Sequence, residues 1–301
     1  MKSGFYPELA RTPAGMLGYY SHRFGIVEVD STYYALPDPA VVFKWIAGTP
    51  KGFSFGVKSF STFTFHRAKF SSLPRWLRME LGERSASSVV ARGELTSRQR
   101  MRMFEDFIEP VRMLHKAGRL AYILYQFPPS WGFKAEGLSY IRRLREMNGP
   151  LPMAVEIRNK SWLAPENRER FLRALMVENI AYVAVDEPAL GWTVGRDWPL
   201  TAEWGTLVRF HGRNLPGWRN SRASVHERFD YEYERSELEE WASEIARRLE
   251  MMGDLGQMFL MFNNCVSDKA VRGALLLRSM LGFPDPPEEE GRQTTFDFGG
   301  R

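Results

Sequence analysis

The sequence predicts a parallel α/β barrel of the TIM type, with seven strands visible. Three observations lead to this fold class: short apolar runs recur along the chain, helix-type patterns separate them, and polar residues collect at the ends of the runs. Repeated strand–helix alternation is typical of doubly wound sheets and of (β/α)8 barrels. A barrel of this class takes about 250 residues, which suits a chain of 301 residues.

The strand predictions rest on seven apolar runs of strand length. Most are rich in β-branched and aromatic residues, and near-continuous apolarity is typical of strands buried on both faces of a parallel sheet. The runs are IVEVDSTYY (26–34), FSFGVKS (53–59), LAYILYQF (120–127), MAVEIRN (153–159), AYVAVDE (181–187), TLVRFHG (206–212) and QMFLMFNN (257–264). No GxGxxG or P-loop motif opens a βα unit, which disfavours a dinucleotide or nucleoside triphosphate site.

Helices are predicted where apolar residues recur every three to four positions, because this spacing places them on one face. Three such stripes lie between or after the strands, and we expect each to pack in the core. They comprise Met101, Phe104, Phe107, Val111 and Leu114; Leu238, Trp241, Ile245, Leu249 and Met252; and Val271, Ala274, Leu275 and Met280.

Composition limits the cellular setting of the protein. The single cysteine, Cys265, cannot form an internal disulfide, which fits a reducing compartment, and we expect its thiol to be inert. No apolar run approaches the length of a membrane span, and the N-terminus lacks the layout of a signal peptide. These features predict a cytoplasmic protein without a membrane partner. The net charge of +5 is a weak indication of anionic partners.

Two long segments interrupt the alternation, and a tail follows it. Residues 67–100 form an Arg-rich insertion, and residues 213–235 form a second basic loop. Loops of this length in a compact domain are usually functional or disordered. The sequence therefore predicts one barrel domain over residues 1–283 and a disordered Pro- and Glu-rich tail over residues 284–301.

Polar residues at the strand ends form the candidate site. Side chains alternate along a strand, so Glu28 shares a face with Asp30, Glu156 with Arg158, and Arg209 with His211. In barrels of this type, catalytic and binding groups lie at the carboxyl ends of the strands. Further polar residues at or near strand ends are Lys58, Gln126, Asp186, Asn263 and Asn264.

Two interpretations of this polar mouth stay open: a ligand site, and an ion-pair lattice that closes the top of the barrel. Arg side chains suit phosphate or carboxylate groups, so a mixed set of cations and carboxylates favours an anionic, hydroxyl-bearing ligand. In that interpretation Lys58, Arg158 and Arg209 bind the anion.

The candidate acid/base groups of such a site are Glu156, Asp186 and His211. A divalent metal held by Glu28, Glu156, Asp186 and His211 is an alternative. The neighbouring cations disfavour this alternative, because they would repel the metal ion.

The strand ends also carry a family resemblance. The segments FYPE (5–8), YYSHRFGIVEVDSTYYALP (19–37), GFSFGVK (52–58), YQFPPSW (125–131), AVEIRNKSWL (154–163), VRFHGR (208–213) and MFNN (261–264) resemble the YecE-like family, which is family seventy-two of the domains of unknown function. The resemblance runs in order over most of residues 4–283 and implies a TIM-type barrel, but no established activity. The positions that it carries over are Glu28, Lys58, Gln126, Glu156, Arg158, Asp186, Arg209, His211 and Asn263.

The chain departs from this family at its start. Members begin with a strand of the type IGTSGW before a segment like KSGFYPE, whereas this chain starts at Met1 inside that loop. The resemblance therefore implies a (β/α)8 barrel that lacks its first strand, which a start codon assigned too late would explain. The alternative is a seven-stranded open barrel with exposed strand edges. Asp30 also stands where the family leads us to expect Asn.

Three functional hypotheses follow. The first is a nucleic-acid-processing or repair-associated hydrolase, with the Arg-rich segment 67–100 as the contact and Trp76 for stacking. The second is an enzyme on a small phosphorylated or sugar-like substrate, with Glu28, Gln126 and Asn263 joining the anion-binding residues around the substrate. The third is a non-catalytic binding module.

The tail contains a candidate partner-binding motif. Gln293, Phe296 and Phe298 resemble the peptides by which DNA replication and repair proteins bind the sliding clamp, since such peptides pair a Gln with apolar anchors. The alternative is an incidental tail sequence. We predict that deleting residues 292–301 abolishes capture of the protein by the sliding clamp in a pull-down, and unchanged capture would refute the motif.

Overall fold

The computed structural model describes residues 4–253 and 256–284. Its strands are β1 (Ile26–Val29), β2 (Ser54–Lys58), β3 (Ala68–Lys69), β4 (Val89–Val90), β5 (Leu120–Gln126), β6 (Met153–Glu156), β7 (Ala181–Asp186), β8 (Gly205–Phe210) and β9 (Gln257–Phe262). Each predicted run overlaps one of the seven longer strands, although β8 begins one residue before its run and all seven strands end before the runs do. In the first run the chain leaves β1 after Val29, and STYY forms a helical turn instead.

The seven longer strands form one nearly closed barrel. They are all parallel, in the order β1-β2-β5-β6-β7-β8-β9. In the described ranges no backbone pairing joins β1 to β9, so the barrel is open between these two strands. The predicted fold class is confirmed: the architecture is compatible with a TIM-type barrel that lacks one strand.

Helices cover the outside of this barrel. They are α1 (Pro13–Ser21), α2 (Ser31–Tyr34), α3 (Pro39–Ala47), α4 (Arg75–Leu81), α5 (Ser97–Lys116), α6 (Ala135–Asn148), α7 (Pro165–Val177), α8 (Leu215–Arg219), α9 (Val225–Arg228), α10 (Arg235–Met252) and α11 (Lys269–Met280). The predicted stripe of α5 is buried apart from Met101, and α10 buries Leu238, Trp241 and Ile245. At the last strand, Gly273 of α11 lies directly against the ring of Phe262.

The two long insertions are ordered rather than structureless. Residues 67–100 contain the antiparallel pair β3–β4, helix α4 and the start of α5, which a Thr96 capping box begins. Residues 213–235 contain the short helices α8 and α9. Within the described residues, no helix is both long and apolar enough to cross a bilayer. The candidate clamp motif lies outside the described residues and stays a prediction.

The barrel interior is apolar through most of its depth. Its buried residues form a cluster separate from the layer between strands and helices, and they include Tyr122, Leu124, Ala154, Val183, Val185, Leu207 and Met261. Tyr122 fits because the neighbouring strand β2 has a glycine beside it: a Cβ at Gly56 would lie 2.5 Å from its ring. Polar side chains therefore lie at the carboxyl end of the strands, above this apolar interior.

We predict that Gly56→Ala destabilises the barrel by about 1–3 kcal/mol, which is the usual penalty of overpacking a core. The added methyl group would displace Tyr122, whose hydroxyl donates to Glu28. Urea denaturation measures the loss, and Gly52→Ala is the matched control, because a Cβ there meets nothing within 4 Å. Equal stability of the two variants would show that the interior can relax around the methyl group.

Candidate functional site

The deepest part of the polar mouth is an ion cluster centred on Arg209. This side chain is fully buried, and it donates to Glu156 over 2.6 Å and to Glu28 over 2.5 Å. Glu28 also accepts a hydrogen bond of 3.0 Å from the Tyr122 hydroxyl. One guanidinium on β8 thereby joins side chains from β1 and β6 across the interior.

Arg158 extends this cluster toward the outside of the barrel. It follows β6 and donates to Glu156, to Glu187 over 2.9 Å and to the ring of His211 over 2.8 Å. The other oxygen of Glu187 accepts from the backbone N–H of Val194 over 3.1 Å. Each end of the Arg158 guanidinium is thus held by a partner, and its orientation is fixed.

His211 is a neutral imidazole within this cluster. Burial and the positive charge of Arg158 lower the pKa of His211 to about 3, although Glu156 opposes the shift. A guanidinium can only donate, so Arg158 donates to Nε2 of this ring. The side-chain amide of Asn263 lies 3.0 Å from Nδ1 and completes the contacts of the ring.

The outer layer of the mouth contains Lys58, Asp30, Tyr33 and His66. Lys58 lies 3.4 Å from Asp30 and 4.8 Å from the centroid of the Tyr33 ring. Its side chain is 13% exposed, whereas those of Arg209, Glu156 and Glu187 are inaccessible. The Thr32 hydroxyl donates to the backbone carbonyl of Lys58 over 2.6 Å, which ties α2 to the end of β2.

His66 is a second neutral imidazole, in the loop after β2. It lies 5.3 Å from the Tyr33 ring, and the Thr64 hydroxyl is 3.0 Å from its Nδ1. Burial, followed by the charges of Lys58 and Arg158, lowers the pKa of His66 to about 4. Both imidazoles are thus neutral chiefly because they are buried, and the charge of Arg158 lowers both pKa values further.

The three buried glutamates of the cluster titrate differently. Burial alone would raise the pKa of Glu156, but the guanidinium groups of Arg158 and Arg209 outweigh it and hold that pKa well below the ordinary value. Burial raises the pKa of Glu28, with partial opposition from Arg209. It also raises the pKa of Glu187, with partial opposition from Arg158. Glu156 is therefore a fixed anion, while Glu28 and Glu187 accept protons more easily.

Aromatic side chains of the loop 213–235 lie over this cluster. The Arg158 guanidinium carbon is 5.5 Å from the Trp218 ring, and the Phe229 ring is 5.6 Å from that of His211. Trp218 also stacks near Trp192, from the loop after β7, with 5.9 Å between ring centroids. These rings provide apolar surfaces beside the polar cluster.

The structure separates Asp186 from the other predicted site residues. Its neighbours Val185 and Glu187 face the interior and the mouth, so Asp186 faces the helical layer on the opposite side of β7. There it accepts hydrogen bonds from Arg213 over 2.8 Å, from the Tyr233 hydroxyl over 3.0 Å and from the Trp241 indole. Asp186 thus anchors the start of the loop 213–235.

The remaining predicted residues lie as follows. Glu28, Lys58, Glu156, Arg158, Arg209, His211 and Asn263 come together at the mouth. Gln126 ends β5 beside Glu156 and is half-buried. Asn264 is buried and donates to the backbone carbonyl of Tyr231.

Sequence reasoning missed Glu187 and His66. In AYVAVDE both faces are apolar, so alternation could not show whether Asp186 or Glu187 faces the mouth. His66 lies in a loop, where strand alternation gives no signal.

The alternative metal site is not assembled. Among the described residues, no three His, Cys, Asp or Glu side chains are placed to hold one metal ion. The oxygens of Glu156 are occupied by guanidinium donors, and Asp186 faces away. The residues present do not fit a divalent cation.

Comparisons with known proteins agree on one family. The family model described as "Protein of unknown function DUF72" matches residues 1–293. The UPF0759 protein YunF of Bacillus subtilis (strain 168) is 31% identical over 263 residues, which cover 86% of this chain and 83% of that protein.

Two solved structures are similar to the fold described above. A DUF72 family protein of Enterococcus faecalis V583 matches with a TM-score of 0.74 and 25% identity, covering 92% of each chain. A DUF72 family protein of Thermotoga maritima MSB8 matches with a TM-score of 0.70 and 29% identity, covering 94% of this chain and 98% of the other.

We predict that Lys58→Gln raises the pKa of His66 toward its ordinary value, because one of the two cations that oppose its protonation is removed. The pKa of His211 should change less, since burial and Arg158 dominate there. Histidine ring ¹⁵N shifts followed by NMR between pH 3 and 8 measure both values. An unchanged titration of His66 in the variant would contradict the proposed field.

The lowered pKa values of the two imidazoles also predict that the stability of the fold decreases as the pH falls. The folded-state pKa values of His66 and His211 lie below the unfolded value of about 6.5, so the unfolded chain binds more protons in this range. Their contribution to stability is complete above about pH 6.5 and declines as the pH falls toward about 4 and about 3.

Proposed function

We propose that the barrel mouth of this chain, which belongs to the DUF72 family of proteins of unknown function, binds a small anionic ligand. The ligand would carry a phosphate or carboxylate group together with hydroxyl groups. The observation that carries the proposal is the pair of neutral imidazoles, His66 and His211. Burial is the main cause of their lowered pKa values, and the charge of Arg158 contributes at both rings and that of Lys58 at His66, which supports a cationic contribution at the mouth.

The saturation of the buried carboxylates supports an anionic ligand rather than a metal cation, because guanidinium donors already occupy both oxygens of Glu156 and one oxygen of Glu187. Within the part of the chain described, four carboxylates and three cations meet at the mouth, so the cluster is close to charge balance. The carboxylates of Glu156 and Glu187 are inaccessible, whereas Lys58 is partly exposed. At the surface of the mouth the charged groups are Lys58 and Asp30, whose side chains are 13% and 45% exposed, so a ligand that enters from solvent meets this pair before the buried charges.

The divergent titration of the glutamates supports acid–base chemistry on this ligand. Sites that combine a carboxylate held ionised with one whose pKa is raised are typical of paired acid–base roles. Here Glu156 would stay ionised and orient Arg158, while Glu187 would carry the exchangeable proton. His211 would contribute a neutral ring whose Nε2 faces Arg158.

The aromatic surfaces favour a ring-shaped or sugar-like ligand. Tyr33 lies beside Lys58 on one side of the mouth, and Trp218 and Phe229 lie near Arg158 and His211. Ligand sites commonly combine apolar and aromatic walls with a few placed polar groups. An isomerase-like or lyase-like reaction on a phosphorylated sugar fits these elements.

A hydrolase that acts on nucleic acid is the second candidate function, because a phosphodiester is also an anionic, sugar-linked group. The observation in its favour is the arginine-rich surface next to the mouth, which is described below. A non-catalytic binding module would share the ligand but show no turnover.

We predict that at least one compound in a panel of sugar phosphates and hydroxy acids binds the protein, and that Lys58→Gln weakens this binding about 10- to 100-fold. Hydrogen bonds to charged groups are worth about 1.5–3 kcal/mol, which corresponds to this range. Isothermal titration calorimetry at pH 6 in two buffers of different ionisation enthalpy should also reveal proton uptake, since an anion raises the pKa of the two imidazoles.

Lys51→Gln is the matched control, because Lys51 is exposed in the turn before β2. If no anion in the panel binds, or if both lysine variants bind equally well, the proposal fails. Glu187→Gln separates the enzyme from the binding module: an enzyme loses turnover while binding persists, and a module shows no turnover in either form.

A further inference from the structure

Phe65 combines strained backbone with an exposed aromatic ring. It ends the 3₁₀ turn Ser61–Thr64 with φ at +62°, a left-handed conformation that is rare for a bulky residue. Its ring remains 41% exposed. Strain of this kind persists only where surrounding structure enforces it, and it clusters at functional sites.

The inner face of the Phe65 ring is fixed by other aromatic residues. Trp131 stacks with it at a centroid separation of 5.8 Å and an interplanar angle of 23°, and Tyr140 lies at 4.8 Å. Trp131 in turn stacks on Phe127 at 3.8 Å. The exposed side of Phe65 is therefore a rigid platform rather than a loose side chain.

Arginines surround this platform. The Arg92 guanidinium carbon is 5.5 Å from the Phe65 centroid and 4.7 Å from that of Tyr140. Arg143 is close enough to Arg92 to lower its pKa, together with burial and Arg100. Arg67 is exposed, and it follows Phe65 by two residues.

These arginines carry little compensating negative charge. Over residues 4–253 and 256–284, no ion pair within 4 Å is recorded for Arg67, Arg92 or Arg143. Glu94 is close enough to Arg67 for the charge of Arg67 to lower its pKa, but Arg84 already donates to Glu94 over 2.8 Å. The surface thus combines an exposed aromatic face with three available guanidinium groups.

We propose that Phe65, Arg67, Arg92 and Arg143 form a binding surface for single-stranded nucleic acid. An unpaired base would stack on the exposed face of Phe65, and the arginines would contact the adjoining phosphates. A duplex fits less well, because its bases are already stacked on one another and offer no free face at this position. An acidic peptide would satisfy the arginines but would not account for the rigid aromatic platform.

The surface adjoins the mouth through consecutive residues. Phe65 faces the arginines, whereas the next residue, His66, lies beside Tyr33 within the field of Lys58 and Arg158. A strand bound at Phe65 would therefore pass close to the candidate site. The inference stands apart from the proposed function, since it rests on residues that the mouth cluster does not use.

The structure assigns the stacking role to Phe65 rather than to Trp76. The Trp76 indole N–H donates to Asp106 over 2.7 Å, and the Arg102 guanidinium carbon lies 4.1 Å from its ring centroid. Both rings contact a guanidinium, but Phe65, at 41% exposed, is more accessible than the half-buried Trp76.

Fluorescence anisotropy with a labelled 15-nucleotide oligo-dT tests the surface in the full chain. We expect binding that weakens steeply between 50 and 200 mM salt, since phosphate contacts release counterions. Arg92→Gln and Arg143→Gln should each reduce the log–log salt slope by about 0.7, the value for one phosphate contact on a single strand. Arg173→Gln is the matched control, because Arg173 is exposed on α7.

Phe65→Leu should weaken oligo-dT binding about tenfold, because it keeps an apolar side chain but removes the stacking face. Phe65→Trp should restore or improve binding, which separates loss of stacking from loss of folding. The proposal is overturned if oligo-dT does not bind at 50 mM salt, if Arg173→Gln changes the slope as much as Arg92→Gln, or if a duplex of the same length binds more tightly.

Discussion

The burial of Arg209 is the constraint on which the rest of the barrel mouth depends. A guanidinium without solvent access is tolerated only where carboxylates accept its hydrogen bonds, because removing one partner of a buried pair typically costs about 3–5 kcal/mol. Glu28 and Glu156 are these partners, and they come from β1 and β6, neither of which is adjacent to β8 in the sheet. Their positions fix those of Arg158 and His211, which share Glu156.

The same cluster links the two sides of the open barrel. The strands β1 and β9 lie at the ends of the sheet, and in the described part of the chain they are not joined by backbone pairing. Glu28 on β1 binds Arg209, and Asn263, directly after β9, contacts His211. His211 therefore bridges two parts of the cluster: its Nε2 contacts Arg158, and its Nδ1 contacts Asn263 at the end of β9. Polar side-chain contacts through the interior therefore connect β1 and β9, which backbone hydrogen bonds do not join.

The sequence was sufficient for the architecture and for most of the mouth. Strand alternation paired Glu28 with Asp30 and Arg209 with His211, and the carboxyl-end rule of parallel barrels placed them at one mouth. It could not distinguish Asp186 from Glu187, because the residues before them are apolar on both faces. That choice depends on where Arg213 and Trp241 lie, and these residues are distant in sequence from β7.

Loops set a second limit on prediction. His66 and Phe65 follow no strand or helix period, and their importance arises from the left-handed turn at Phe65 and from Trp131 and Tyr140 behind it. The insertion 67–100 appeared as basic sequence without structure, yet a strand pair and a capped helix order it. Composition identified its charge, whereas tertiary packing decides which aromatic ring is accessible.

An ion-pair lattice and a ligand site are compatible interpretations of the mouth once its layers are separated. An ion-pair lattice that served stability alone would give the protein little advantage. Proteins in which well-packed apolar side chains replace buried ion pairs are often equally stable. The carboxylates of Glu156 and Glu187 instead hold the guanidinium of Arg158 in one orientation beneath the outer layer. There burial, together with the charges of Lys58 and Arg158, keeps His66 neutral, and a bound anion would oppose the effect of these charges. The lattice therefore holds Arg158 in one orientation beneath the outer pair of Lys58 and Asp30, and this fixed guanidinium is the group that the proposed ligand site would use.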